Sequence, residues 1–274
     1  MFRDALDYPT RAPTGGRVVL TGGALLLSVP VFGAFGGVVP ALAPVALVGV
    51  LAWLLVRGYH VSVVRTTIGR SRPSPPEFDG YGTLLVDGLK ATFITLTYLI
   101  PALVAVAVAV VVANAPTLTG SNAGTLALQI IAGLLAVVGV LYTIGALYAL
   151  PVAVAVFAYT GRLRPAFDIR IVARGAISED YAVAWFVSML LQVFLVPFAY
   201  LLYPLLVGFF FRFHLSVGVR YCYGRGVGAA LRLEALEPTA ADPSMERPQN
   251  PTASAQRSDS SFVDRDPLER EVDR

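Results

Sequence analysis

The sequence predicts an all-α, polytopic membrane protein: a bundle of about six transmembrane helices in three hairpin repeats, with short amphipathic helices on the cytoplasmic side. Three observations lead there. Of the 274 residues, 56% are hydrophobic and 14% charged, whereas a soluble domain carries about 25% charged and about 45–50% apolar residues. The apolar residues gather in three long uncharged runs. A Gly-Arg string closes alternate predicted helices. This composition excludes a soluble enzyme, a disordered regulator and a disulfide scaffold, and the single cysteine, Cys222, excludes an internal disulfide and a cysteine-based metal site.

A spanning helix needs roughly 20 mainly apolar residues. The first run, 39 residues between Arg17 and Arg57, holds two helices with a turn among Pro30, Gly33, Gly36, Gly37 and Pro40. It is too long for the apolar core of a signal peptide, the competing reading. The second, 71 residues from Ala91 to Gly161, holds two more on either side of the polar stretch Asn114–Gly124, the latter running past Pro151. The third, 31 residues from Tyr181 to Phe211 with Pro197 and Pro204 inside, reads as one long helix or a hairpin, the hairpin requiring Arg212 and His214 to lie within a helix and snorkel. Basic residues favour cytoplasmic loops. Arg3, Arg11 and Arg17; Arg57, Arg65, Arg70, Arg72 and Lys90; Arg162, Arg164, Arg170 and Arg174; and Arg212, Arg220 and Arg225 all flank the runs, and the turns inside the runs carry no charge. Six spans with both termini cytoplasmic, in the cell membrane, satisfy the rule.

The repeat is carried by Gly69-Arg70-Ser71-Arg72-Pro73, Gly161-Arg162-Leu163-Arg164-Pro165 and a shorter Gly224-Arg225. The last copy matches the first at a constant offset of 155, pairing Arg57 with Arg212, Arg65 with Arg220 and Arg70 with Arg225. After two copies comes an amphipathic segment opening with Phe-Asp, Phe78–Lys90 and Phe167–Asp180; the second presents Phe167, Ile171, Ala173 and Ile177 on one face. Phe2–Tyr8 is a fainter version. Units of about 2–70, 72–162 and 164–225 would share one orientation around a pseudo-threefold axis.

Several residues carry candidate contacts. Arg57, His60, Arg65, Arg70, Arg72, Arg162, Arg164, Arg212, His214, Arg220 and Arg225 suit lipid phosphates or helix C-termini. His60 and His214 sit in similar arginine frames, although the ungapped alignment sets Tyr59 opposite His214. Gln129 and Gln192 are the largest polar groups within predicted spans and suit interhelical hydrogen bonds. No carboxylate falls inside a predicted span, so a carboxylate proton relay has no ligand. No catalytic, cofactor or metal constellation is visible, and none is expected. Residues 1–232 hold 16 basic and 8 acidic residues; 233–274 hold 5 and 10. The acidic tail from Glu237 is expected to be disordered, with Phe262–Val272 as an alternative partner-binding stretch.

The chain uses 20 Arg and one Lys, Lys90, which suits a GC-rich genome or a salty cytoplasm. The pairing of Pro75-Pro76-Glu77-Phe78-Asp79 with Asp87-Gly88-Leu89-Lys90, together with Ala5-Leu6-Asp7-Tyr8-Pro9 and Ser178-Glu179-Asp180-Tyr181 running into Ala184-Trp185, resembles a family of uncharacterised archaeal, notably halophilic, membrane proteins known as domain of unknown function 4013. The resemblance spans about residues 1–232. It implies a multi-pass membrane protein of unsettled activity and supplies no catalytic residue. The expected role is non-enzymatic, through contacts with membrane lipids or with a membrane-protein partner or second copy, and not with nucleic acid. The alternative is a small-solute permease or channel, which would need Gln129, Gln192 and hydroxyl side chains to converge. A membrane enzyme would need a titratable cluster near the inner face.

Overall fold

The computed structural model describes residues 1–38, 43–114 and 122–236. They form eight α-helices, with no strand among the described residues: α1 Phe2–Asp7, α2 Gly15–Val38, α3 Ala43–Thr67, α4 Tyr81–Ala113, α5 Asn122–Thr160, α6 Ile169–Ile177, α7 Glu179–Leu201 and α8 Val207–Ala230. Five of them, α2, α3, α4, α5 and α7, are long and apolar enough to cross a membrane. The stretch expected to hold a turn is helical through Pro30, Gly33, Gly36 and Gly37, α2 running to Val38; Pro40, most of Asn114–Gly124 and the acidic tail, including Phe262–Val272, lie outside the described residues.

α8 does not meet that standard, because Arg212, His214, Arg220 and Arg225 interrupt it. It is nevertheless the most enclosed helix of the bundle, with Phe213, Val217, Cys222 and Val227 at 0% exposure. The run Tyr181–Phe211 is therefore two helices rather than one, the second taking in Arg212 and His214 as the hairpin alternative required. α7 ends at Leu201, a turn holding Pro204 reverses the chain, and Arg212 and His214 lie inside α8. Leu206 closes the turn at φ 60°.

Helix ends explain the repeated string. Gly69 and Gly161 take φ +70° and +68°, the left-handed conformation that terminates helices after α3 and α5 and that glycine adopts without a Cβ clash. Gly224 differs: no proline follows, α8 continues through it to Ala230, and its bare backbone lies against Thr67, where a Cβ would come within 1.9 Å of the hydroxyl. Pro30, Pro101, Pro151 and Pro197 are carried inside α2, α4, α5 and α7 without ending them.

The Phe78–Lys90 segment is not a separate interfacial helix. From Tyr81 it is the first part of α4, and Asp87 is buried at 6% exposure. This overturns the expectation of carboxylate-free spans. The helix runs through Asp87-Gly88 because Arg65 neutralises the carboxylate at 2.9 Å, and because Gly88 admits the α3 backbone, its absent Cβ lying 2.1 Å from the Leu54 carbonyl. α6 also departs from expectation. Val172 and Gly175 face the bundle, while Ile169 and Ile177 are 79% and 84% exposed. Asp168 caps α6 by accepting from the Arg170 amide at 2.9 Å.

α3, α5 and α8 contact one another, and each is packed against by the long helix before it in the chain: α2 on α3, α4 on α5, α7 on α8. α2 also packs on α8, and α4 on α3. Glycine permits both approaches, through Gly22 and Gly23 against Phe213 and Phe210, and through Gly58 and Gly88 against the Leu84 and Leu54 carbonyls. The corresponding pair, α7 with α5, is not closed this way. α7 contains no glycine, and the described contacts between the two helices are those of Tyr148 with Tyr181 and Trp185.

At the end where α3 and α5 stop, connecting segments fold back along the bundle and are tied by tyrosines. Tyr59 donates to the Pro76 carbonyl at 3.0 Å and stacks on Phe78. Tyr98 donates to Ala166 at 2.8 Å, and Tyr148 to Ala176 at 2.8 Å. Tyr8 donates to Ser74 at 3.1 Å; burial pushes its phenol up, so the proton that makes this bond stays in place. Residues 233–236 pack back on the end of α3, with Arg70 donating to the Leu236 carbonyl at 3.1 Å.

Candidate functional site

The gap between α5 and α7 opens a cavity of ≈ 310 Å³. α3 contributes Arg57 and His60, α4 Ala91 and Thr95, and α8 Arg220 and Tyr223. The walls are apolar: Leu147, Leu150, Pro151 and Val154 from α5, Trp185 and Met189 from α7, with Gln192 also on α7. Leu147 and Met189 are 51% and 44% exposed, so the cavity reaches the outward, apolar surface of the bundle between those two helices.

Its cations are incompletely satisfied. Arg57 donates to the Thr95 hydroxyl at 2.6 Å and to the Ala91 carbonyl at 3.3 Å, and its guanidinium lies 5.2 Å from the Trp53 ring centroid. Arg220 lies 5.7 Å from the Tyr223 ring centroid, and its buried Nε has no hydrogen-bond partner. Among the described residues no carboxylate pairs with either arginine, and none lines the cavity.

His60 Nε2 lies 2.8 Å from Ser216 Oγ, whose hydroxyl donates to the Phe213 carbonyl at 2.7 Å. The pair joins α3 to α8. Gln192 donates to the Ser188 carbonyl at 3.3 Å and reaches the Tyr223 hydroxyl at 3.5 Å. Among the described residues no group of three His, Cys, Asp or Glu could hold a metal.

The cavity therefore unites Arg57, His60, Arg220 and Gln192 and separates the other candidates. Arg65 is consumed structurally, with Nε on the Ala158 carbonyl and a terminal nitrogen on Asp87, both at 2.9 Å. Arg225 donates to the Arg70 carbonyl and lines, with Arg72, Arg11 and Asp4, a shallow recess at the same end. Arg162 and Arg164 are exposed. His214 Nε2 bonds the Leu6 carbonyl at 2.9 Å, tying α1 to α8. Arg212 is half-buried near the start of α8, and Gln129 is exposed on α5. Sequence reasoning missed Thr95, Tyr223, Trp185 and the α5 wall. Tyr223 was signalled by its place three residues from Arg220, on the same helical face; the others come from elements that the sequence does not link.

A family model described as protein of unknown function (DUF4013) matches residues 41–205. The chain belongs to this family. No curated protein and no solved structure matches it. The DUF4013 match takes in α3 to α7, hence Arg57, His60, Thr95, Trp185 and Gln192, while Arg220 and Tyr223 of α8 lie beyond it.

Proposed function

We propose that this DUF4013 protein is a non-enzymatic, six-span protein of the cell membrane, with both termini cytoplasmic, that acts by holding anionic lipid. One observation carries the reading: Arg57 and Arg220 face a common cavity with no counter-ion among the described residues, and the cavity reaches the surface that apolar residues present to the bilayer. Intramembrane cations normally find a partner or mark a ligand pathway. The mutual packing of α3, α5 and α8 and the contact of Arg225 with Arg70, equivalent positions at the 155-residue offset, support three parallel hairpin repeats.

The permease alternative is less well supported. Gln129 and Gln192 do not converge: Gln129 lies about 30 Å along α5 from the cavity wall at Leu150, at 1.5 Å per residue. The test is purification of the full chain in mild detergent, with quantitative mass spectrometry of proteins and lipids. An anionic lipid enriched over its share of the membrane is expected. Retention of lipid in bulk proportions would overturn the reading and turn attention to solute flux in liposomes.

A further inference from the structure

We infer that the cavity between α5 and α7 binds the phosphomonoester head of a single-headed amphiphile, clamped by Arg57 and Arg220, with its chain leaving between Leu147 and Met189. The inference rests on the lipid-holding reading above and names its ligand class. It begins with an asymmetry. α2 and α4 each close on the second helix of the neighbouring hairpin through glycines, whereas α7 meets α5 with Trp185 and Met189 and leaves a cavity. Bulky side chains at this junction hold open what glycine seals at the other two.

The charge pattern breaks at the same place. Arg65, the counterpart of Arg220 at the 155-residue offset, has Asp87 at 2.9 Å. Among the described residues Arg220 has no carboxylate partner, and its buried Nε has no hydrogen-bond partner. A buried donor left unpaired is costly, as is an unpaired cation. An anionic ligand against the cavity-lining guanidiniums removes the second penalty. A phosphomonoester carries about −1.5 to −2 charge near neutrality, which matches two guanidiniums, whose forks engage phosphate oxygens bidentately. A carboxylate would leave one cation unmatched. The ≈ 310 Å³ volume takes a phosphate and the first carbons of a chain. Leu150 and Val154 give those carbons an apolar wall, and the exposed Leu147 and Met189 give the rest an exit.

The experiment measures thermal unfolding of the delipidated full chain in neutral detergent, titrated with inorganic phosphate, with dodecyl phosphate, and with phosphatidylcholine vesicles carrying phosphatidic acid. Dodecyl phosphate is expected to raise the midpoint saturably. Arg57→Gln and Arg220→Gln should each weaken its apparent affinity about tenfold or more, as loss of one charge-assisted contact does. Met189→Trp, at the exposed rim, should weaken dodecyl phosphate and leave inorganic phosphate unchanged; it serves as the test if Arg220→Gln does not fold. Stabilisation by phosphatidic acid beyond that by inorganic phosphate assigns the head to a lipid. Equal stabilisation by both, sensitive to Arg220→Gln, assigns the same site to free phosphate and overturns the chain exit. No stabilisation, or stabilisation equal in the wild type and all three variants, overturns the site. Lipid retention that persists in both arginine variants would sink the cavity and spare the lipid-holding reading. Phosphate binding with no lipid retained would do the reverse.

Discussion

Asp87 is 6% exposed within a helix long and apolar enough to cross a membrane, and it holds there through Arg65, whose guanidinium also bonds the Ala158 carbonyl. One side chain thus joins α3, α4 and α5. Removing either charge leaves the other uncompensated in a low-dielectric setting, whereas removing both leaves a packing defect. Asp87→Asn should therefore cost about 2–3 kcal/mol, below the usual ~3–5 kcal/mol for a broken buried pair, because the Arg65 side chain is 31% open. The double variant Arg65→Met with Asp87→Leu should recover most of the loss. Thermal unfolding in detergent measures both, and an Asp87→Asn protein as stable as the wild type would show the pair to be idle. The sequence hid this pairing because Asp87 falls in an amphipathic stretch just before the uncharged run, where a carboxylate ordinarily faces water. Arg57, His60 and Arg220 were legible as candidates, since cations near apolar runs are conspicuous. That they converge was not, because Arg57 and His60 lie on α3 and Arg220 on α8, and the partners Thr95 and Ser216 of the first two lie on other helices.

Close approach of helices follows from glycine where the backbone itself is the contact surface. At the α3–α4 crossing a Cβ on Gly58 would sit 1.8 Å from the Leu84 carbonyl oxygen, a backbone atom that cannot swing aside. Gly58→Ala should separate the helices and cost at least ~1–3 kcal/mol, the usual penalty of overpacking. Gly133→Ala, on α5 where nothing lies within 4 Å, should be neutral or gain up to roughly 1 kcal/mol from helix propensity. Comparing the two by thermal unfolding checks the assignment, and equal effects would refute it. At this scale the helices α2 to α5 were legible from uncharged run length, and the ends at Gly69 and Gly161 from the Gly-Arg-x-Arg-Pro string, because a left-handed cap is a local requirement. The Gly224 copy misled for the same reason reversed. Without the proline the helix continues, and the glycine serves contact with Thr67 instead.

Whether six helices cross turns on α8. It carries three arginines and a histidine yet is the most enclosed helix of the bundle: α2, α3 and α7 pack over it, while Arg220 lines the cavity between α5 and α7. A helix too polar to enter a bilayer alone can be held across it by neighbours that satisfy its polar groups, as the contacts of His214 with Leu6 and of Arg225 with Arg70 do here. In the three-hairpin arrangement Leu205, in the turn before α8, and Arg232, just after it, lie on opposite faces of the membrane. Cys222, the chain's single cysteine, is fully buried, so introduced thiols report without interference. Leu205→Cys should react with an impermeant maleimide from outside intact cells, and Arg232→Cys, like Ser71→Cys and Arg162→Cys at the basic end, after the inner face is opened. Reaction of both Leu205→Cys and Arg232→Cys from outside would mean five spans. The last repeat would then be incomplete, and the α8 wall of the cavity would have to be supplied from the membrane surface.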